Sequence, residues 1–256
     1  MSAARQRLIV AVFALVVWTG ITMFGASYLF PASVQLIDLV KSGIGWQFVI
    51  ASAFLVALAL IFRWDDLGLH WPRDGRSWVL LWFPALYLVA FASFAVYLGL
   101  PPAQTVLWIF VNTMFVGFSE ELMFRGVLLA AFRRNMPIWP AIILTCVLFG
   151  SVHILNAFMT GQVLGATVQA VTAMMSGLLF VAIVLRTGSL LPAIILHGLW
   201  DFCTFLLTTA TSATGEGAAP GWQMQIIMPV GLVTGNFLYA LFLLRHTRTG
   251  TVGAGA

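Results

Sequence analysis

The order of apolar and polar residues divides the chain into eight apolar stretches separated by short polar connections. A helix needs about 17 to 25 mostly apolar residues to cross a bilayer, and the eight stretches were counted with a window of that length. We therefore predict an all-α fold with about eight transmembrane helices. The predicted spans are Leu8–Phe30, Trp46–Phe62, Trp78–Leu100, Ala103–Phe132, Ile138–Leu155, Leu164–Leu185, Ser189–Thr209 and Gln225–Leu244.

Composition places this pattern in a membrane rather than in the core of a soluble protein. The chain is 61% hydrophobic and 8% charged, whereas about a quarter of the residues in a soluble domain are charged. The connections are too short for a separate soluble domain, so residues 1–256 are expected to form a single transmembrane domain. The charges form no basic stripe, which excludes nucleic acid as a partner and leaves membrane lipids.

The basic residues predict the orientation of the chain in the membrane. Of the 12 Lys and Arg residues, ten fall in segments on the side of the N-terminus. Lys41 lies on the other side, and Arg125 lies within the fourth span. Because basic residues in short loops are retained in the cytoplasm, both termini are predicted to be cytoplasmic. We expect a multi-pass protein of a bacterial-type plasma membrane.

The first apolar stretch follows two arginines, as the apolar part of a signal peptide would. It runs for 23 residues, however, and apolar regions of signal peptides extend for about 7 to 15. An uncleaved first helix is therefore the preferred interpretation.

Six ionisable residues interrupt the apolar spans. Near the bilayer centre a charged side chain costs on the order of 2.5 to 3.5 kcal/mol, so such residues usually face a protein interior or a water-filled cavity and mark function. Their concentration in three of the spans is the main functional signal in the sequence. They are Glu120, Glu121 and Arg125 in the fourth span, His153 in the fifth, and His197 and Asp201 in the seventh.

In the fourth span, Glu121 and Arg125 are four residues apart and therefore share one helix face. We predict an ion pair between them. Glu120 is rotated from Glu121 by about 100° on a helix, which leaves its carboxylate to face a cavity.

The same spacing occurs in two further spans. His197 and Asp201 are four residues apart, and so are Phe149 and His153, with the Phe149 ring placed to form a pocket wall. At about 1.5 Å of rise per residue, all these side chains lie at depths compatible with one cavity. We expect this cavity between the fourth, fifth and seventh predicted helices, open to the cytoplasmic side.

Three motifs in this order connect the chain to a known family. The chain resembles the CPBP family of intramembrane proteases, which includes type II CAAX prenyl endopeptidases and bacteriocin-processing, Abi-like self-immunity proteins. The resemblance covers residues 105–204. The motifs are Glu120-Glu121-x-x-x-Arg125, Phe149-x-x-x-His153 and His197-x-x-x-Asp201.

The resemblance implies an endopeptidase that hydrolyses a peptide bond of a membrane-associated or lipidated substrate. It makes Glu120 the general base that activates water, with His153, His197 and Asp201 completing the catalytic cluster. Prenyl proteases carry Asn at the position of Asp201. Because an ionised Asp only accepts hydrogen bonds, we expect Asp201 to hold His197 and a histidine to stabilise the oxyanion.

The resemblance gives Glu121 and Arg125 the role of a supporting pair, and it implies a glutamic-type enzyme without an obligatory cofactor. A metalloprotease mechanism stays an alternative, because two histidines and two carboxylates resemble a zinc site with an open water position. The HExxH spacing is absent. The zinc ligands in that case would be Glu120, His153, His197 and Asp201.

Two functions from other classes stay open. The same fold can serve as a non-catalytic membrane scaffold or immunity protein. Buried Glu, His and Asp residues also form the relays of proton-coupled transporters, although the internal repeats of many transporters are not visible here.

Overall fold

The computed structural model of the chain describes residues 1–29, 35–213 and 221–247. Within these ranges the secondary structure is entirely helical. A 3₁₀ segment, Gly75–Leu81, precedes α4, and a π-helical segment, Leu122–Leu128, joins α5 to α6. The α-helices are α1 Ala3–Leu29, α2 Asp38–Lys41, α3 Trp46–Ile61, α4 Trp82–Leu98, α5 Ala103–Glu121, α6 Leu129–Arg133, α7 Ile138–Ile154, α8 Asn156–Thr160, α9 Val163–Thr187, α10 Leu191–Ala213 and α11 Trp222–Leu244.

The described part of the chain confirms a polytopic helical membrane protein. It contains seven helices that are long and apolar enough to cross a membrane, and α3 is a shorter apolar helix at the place of the second predicted span. The end of the first predicted span, Phe30, lies outside the described residues. The seven are Ala3–Gly25, Gly75–Leu98, Ala103–Arg133, Ile138–Thr160, Val163–Thr187, Leu191–Ser212 and Trp222–Leu244.

Helix α3 is short because the backbone of the connection before it is bonded to a buried residue of the bundle. Its anchor is Asn112, a fully buried residue of α5 that lies about 14 Å along the helix from Ala103. The Asn112 side chain donates hydrogen bonds to the carbonyls of Val40, at 2.9 Å, and Gly43, at 2.7 Å. It also accepts one from the Gly45 amide at 2.8 Å. These bonds satisfy backbone groups that would otherwise lie unpaired in an apolar layer.

Polar contacts show that both described termini lie at the same end of the bundle. Asn135 donates to the Ala4 carbonyl at 3.0 Å, and the Trp139 indole donates to the Thr247 carbonyl at 3.2 Å. We call this the N-terminal end. Since Ala4 and Thr247 lie at the same end, the described residues between them pass through the bundle an even number of times, so α3 counts as a pass.

An aspartate holds the N-terminal end together. Asp66 forms ion pairs with Arg7, at 2.7 Å, and with Arg134, at 2.9 Å. Burial raises the pKa of Asp66, but hydrogen bonds to the two guanidinium groups and their positive charge outweigh that effect and hold the pKa below its usual value. The connection before α4 is thereby tied to α1 and to the end of α6.

The half of the bundle nearest the N-terminal end is densely filled. The π-helical segment is buried along its whole length, and Phe124 within it packs edge-to-face on Trp18 at 5.6 Å between ring centroids. Around it, α9 packs between α7 and α11, and α10 packs between α4 and α5. The remaining space lies in the opposite half of the bundle.

The buried Asn112 provides a test of this architecture. Replacing it by Asp turns the donor that faces two carbonyls into an acceptor, and each buried group left unpaired costs on the order of 1 to 3 kcal/mol. We expect Asn112→Asp to lower the Tm of the detergent-solubilised protein clearly. The matched control is Asn135→Asp, because the bond from Asn135 to Ala4 is exposed. Equal melting of both variants and the wild type would contradict this account.

Candidate active site

The predicted site residues lie together in the wall of one cavity of about 350 Å³. Glu120 comes from the last turn of α5, His153 from α7, and His197 with Asp201 from α10. Phe149 lines the same cavity, as the wall position predicted for it requires. The structure thus brings these four ionisable side chains together from the three helices that were predicted to contribute them.

Glu120 faces the two histidines. Its Oε2 atom lies 3.7 Å from Nε2 of His197 and 4.0 Å from Nε2 of His153. No hydrogen-bond partner of this oxygen occurs among the residues that the structure describes. The side chain is 15% exposed. The three atoms therefore surround one small region of the cavity without binding each other directly.

Both imidazole rings are held at their far nitrogen. His153 Nδ1 lies 2.7 Å from the Phe149 carbonyl oxygen, and His197 Nδ1 lies 2.7 Å from Glu121 Oε1. Since a carbonyl or carboxylate oxygen can only accept, Nδ1 carries the hydrogen in both rings. In consequence both Nε2 atoms are directed at Glu120.

The predicted ion pair of α5 lies directly behind His197. Arg125 Nη1 donates to Glu121 Oε1 at 2.9 Å, and neither side chain has exposed surface. Arg125 Nη2 donates to the Gly177 carbonyl at 3.1 Å. The guanidinium also lies over the rings of Phe149 and Phe180, 4.3 and 5.2 Å from their centroids, in cation–π contact.

The support of His197 differs from the expectation in one respect. We expected Asp201 to hold this ring, yet the hydrogen bond comes from Glu121, the residue already paired with Arg125. Asp201 Oδ2 lies 3.6 Å from His197 Nε2, beyond hydrogen-bond distance, and its side chain is 24% exposed. Asp201 is therefore beside the reactive nitrogen on the cavity side, and Glu121 is behind the ring.

Two features that orient the site were not predicted from the sequence. The Phe180 ring stacks on His197 with 4.7 Å between centroids and 12° between planes. Arg125 belongs to a π-helical turn that follows directly on Glu121, and such turns are frequent at functional sites. Phe180 is one apolar residue among many in an apolar helix, and the sequence around Arg125 gave no signal of a π-helical turn.

Close contact between α5 and α10 brings Glu121 and His197 within reach. A Cβ atom at Gly117 would lie 2.7 Å from the Gly198 amide nitrogen, and one at Gly198 would lie 3.2 Å from the Met114 Cα. Any larger residue would push the helices apart, because small residues are what allow membrane helices to approach closely. The two glycines were a signal in the sequence that the motifs did not include.

The cavity extends toward a different end of the bundle than we expected. The prediction was an opening on the side of the N-terminus. Instead the lining continues to the opposite end, through residues of α1, α2, the segment before α2, and α8, and these residues are Met23, Leu36, Leu39, Asn156 and Met159. The lining includes none of the described residues in the connections at the N-terminal end.

The cavity side chains include two histidines and two carboxylates, which are donor types found in zinc sites. Among the described residues, no group of three or more His, Cys, Asp or Glu side chains is arranged to hold one. Zinc needs ligand atoms about 2.0 to 2.3 Å from the ion in a tetrahedral arrangement. As they lie, the cavity side chains do not form such a site, and metal dependence stays a prediction for experiment.

Comparison with known proteins bears on the same segment. Residues 102–203 match the model of the type II CAAX prenyl endopeptidase Rce1-like family. This match confirms the predicted resemblance over these residues. All three motifs of the Rce1-like segment fall inside the match, and the family supports a membrane endopeptidase that contacts lipids and acts on a peptide substrate. No curated protein and no solved structure matches the chain.

The ion pair behind His197 provides a test of the site's architecture. Glu121→Gln keeps the size of the side chain but leaves Arg125 charged and buried without its counter-ion, which costs on the order of 3 to 5 kcal/mol. We expect a large drop in Tm. The matched control is Asp38→Asn, which breaks the more exposed pair with Lys41 and costs about 1 kcal/mol or less. Equal shifts for the two variants would contradict a structural role of the buried pair.

Proposed function

We propose that the protein hydrolyses a peptide bond of a membrane-associated or lipidated substrate with a water molecule activated by Glu120. The observation that supports this most is the common direction of two anchored histidines. His153 and His197 are each fixed through Nδ1, and their Nε2 atoms lie 4.0 and 3.7 Å from Glu120 Oε2. Such distances in a free enzyme shorten when substrate and water fill the site.

In the proposed step, the Glu120 carboxylate takes a proton from water while the water oxygen attacks the scissile carbonyl carbon. The carbonyl oxygen becomes negatively charged in the tetrahedral intermediate. When the intermediate collapses, the carbon–nitrogen bond breaks and Glu120 returns the proton to the leaving amine. The products are a carboxylic acid and an amine, and Glu120 is regenerated.

The partners of the two histidines suggest different tasks for them. A carboxylate, Glu121, lies behind His197, so the ring can donate from Nε2 to the oxyanion while Glu121 stabilises its positive charge, as in other enzymes where an acid orients a histidine. A neutral backbone carbonyl lies behind His153. We therefore assign oxyanion stabilisation to His197 and orientation of the water to His153.

Asp201 is placed to contact the substrate. Its side chain is on the cavity side of His197 and is more exposed than the other three site residues. A carboxylate there can accept a hydrogen bond from a backbone N–H of the bound peptide. An Asn side chain offers the same acceptor through Oδ1, which accounts for the presence of either residue at this position.

The proposal predicts a cleavage activity that depends on Glu120. The purified protein is expected to cut members of a library of membrane-tethered and prenylated peptides. Glu120→Gln keeps the shape of the side chain but removes the base, so the rate is expected to fall at least about a hundredfold. The measurement is product formation by mass spectrometry, with and without a chelator, which is expected to have no effect.

The matched control for this experiment is Asp201→Asn. It keeps an acceptor and is expected to stay within about tenfold of the wild type, the size of one hydrogen bond's contribution. Full activity of Glu120→Gln would contradict the proposal. Loss in chelator with recovery in zinc would establish a metalloprotease instead. If the folded wild type cuts no peptide, the scaffold or the proton-coupled transporter becomes the better interpretation.

A further inference from the structure

Most basic residues of the loops lie at one end of the bundle. Contacts of Arg7, Arg134, Asn135 and Trp139 define the N-terminal end. Arg248, also predicted there, lies outside the described residues. The described arginines at this end, or in the connections that reach it, are Arg5, Arg7, Arg63, Arg73, Arg76, Arg133, Arg134, Arg186 and Arg245.

The opposite end carries much less positive charge. Among the described residues, Lys41 is the basic residue of that end, and its ammonium group is paired with Asp38 at 2.6 Å. Basic residues near the ends of membrane helices are retained in the cytoplasm. This asymmetry therefore assigns the N-terminal end to the cytoplasm and the Lys41 end to the outside.

The cavity occupies the half of the bundle near the Lys41 end. Glu120 lies about 20 Å along its helix from Arg133, and the turns between them are filled by buried residues from Leu122 to Phe132. Toward the other end, the cavity continues past His153 to the walls formed by Leu39 and Met159. A route from the site to water is therefore shorter on the Lys41 side.

We infer that the cavity receives its substrate from the extracytoplasmic side, as a peptide segment of an exported or externally anchored protein. This inference rests on the proposed peptidase function and adds the side and the class of substrate. A prenyl group is attached to a protein in the cytoplasm, so a prenylated C-terminal tail would approach from the wrong end of the bundle.

The lining favours an apolar peptide over a charged lipid headgroup. The outer part of the cavity has an apolar wall, in which Met159 and Leu39 pack together with Met23 and Leu36 against them. Its uncharged polar residues Asn156 and Gln169 are hydrogen-bonded to each other. No Lys or Arg occurs among the described lining residues, so a phosphate group in the outer part of the cavity would meet neither an ammonium nor a guanidinium group. Apolar side chains next to the scissile bond fit these walls.

The first arm of the test measures the orientation of the bundle without relying on activity. Ser2→Cys and Ser42→Cys place the same exposed thiol at the two ends, in a background with Cys146→Ala and Cys203→Ala. A membrane-impermeant maleimide is expected to label Ser42→Cys in intact cells and Ser2→Cys only in inverted vesicles. The reverse pattern would overturn the inference whatever the enzyme does.

The second arm presents an impermeant apolar peptide to right-side-out and to inverted vesicles that contain the wild type or Glu120→Gln. Cleavage that depends on Glu120 is expected in right-side-out vesicles. Cleavage only in inverted vesicles would overturn the inference and leave the peptidase function standing. Absence of such cleavage in both preparations would refute the peptidase function, and with it the inference, even if the labelling pattern is as expected.

Discussion

A fully buried ion pair between Glu121 and Arg125 determines the geometry of the site around it. Removing two charges from water is costly, and the cost is offset only when their remaining hydrogen bonds are satisfied. Arg125 meets this condition in part, with the Gly177 carbonyl and two aromatic faces, and Glu121 meets it in part, with His197. Arg125 Nε and Glu121 Oε2 have no hydrogen-bond partner among the described residues. The pair thus links α5, α9 and α10 and directs one imidazole into the cavity.

The same constraint explains why neighbouring acids have different surroundings. Glu121 is paired with Arg125 in the core, while Glu120 projects into the cavity. One oxygen of each acid has no hydrogen-bond partner among the described residues, and only that of Glu120 faces the two histidines. A site for hydrolysis needs such an unsatisfied base next to donors that are already oriented. The residues packed between the pair and the N-terminal end support the site. The cavity on the other side of the pair contains its reactive groups.

The sequence was sufficient to predict the helical membrane fold, the family and the positions of the ionisable residues, because a charge inside an apolar helix stands out. Asn112 and Phe180 were missed because an amide or a ring in such a helix can face lipid, a neighbour or a cavity with equal ease. The end toward which the cavity extends was predicted wrongly. Counting residues along a helix gives depth, whereas the side that stays open depends on how Phe124 and its neighbours fill the other half.

The central claim is that Glu120 activates water rather than attacking the peptide itself. A single turnover with excess enzyme in water labelled with a heavy oxygen isotope tests it most directly. We predict that the new carboxyl group of the product carries the label in this first turnover, and that Glu120 carries none. An unlabelled first product, with the isotope found in Glu120, would show an acyl-enzyme intermediate and contradict the account.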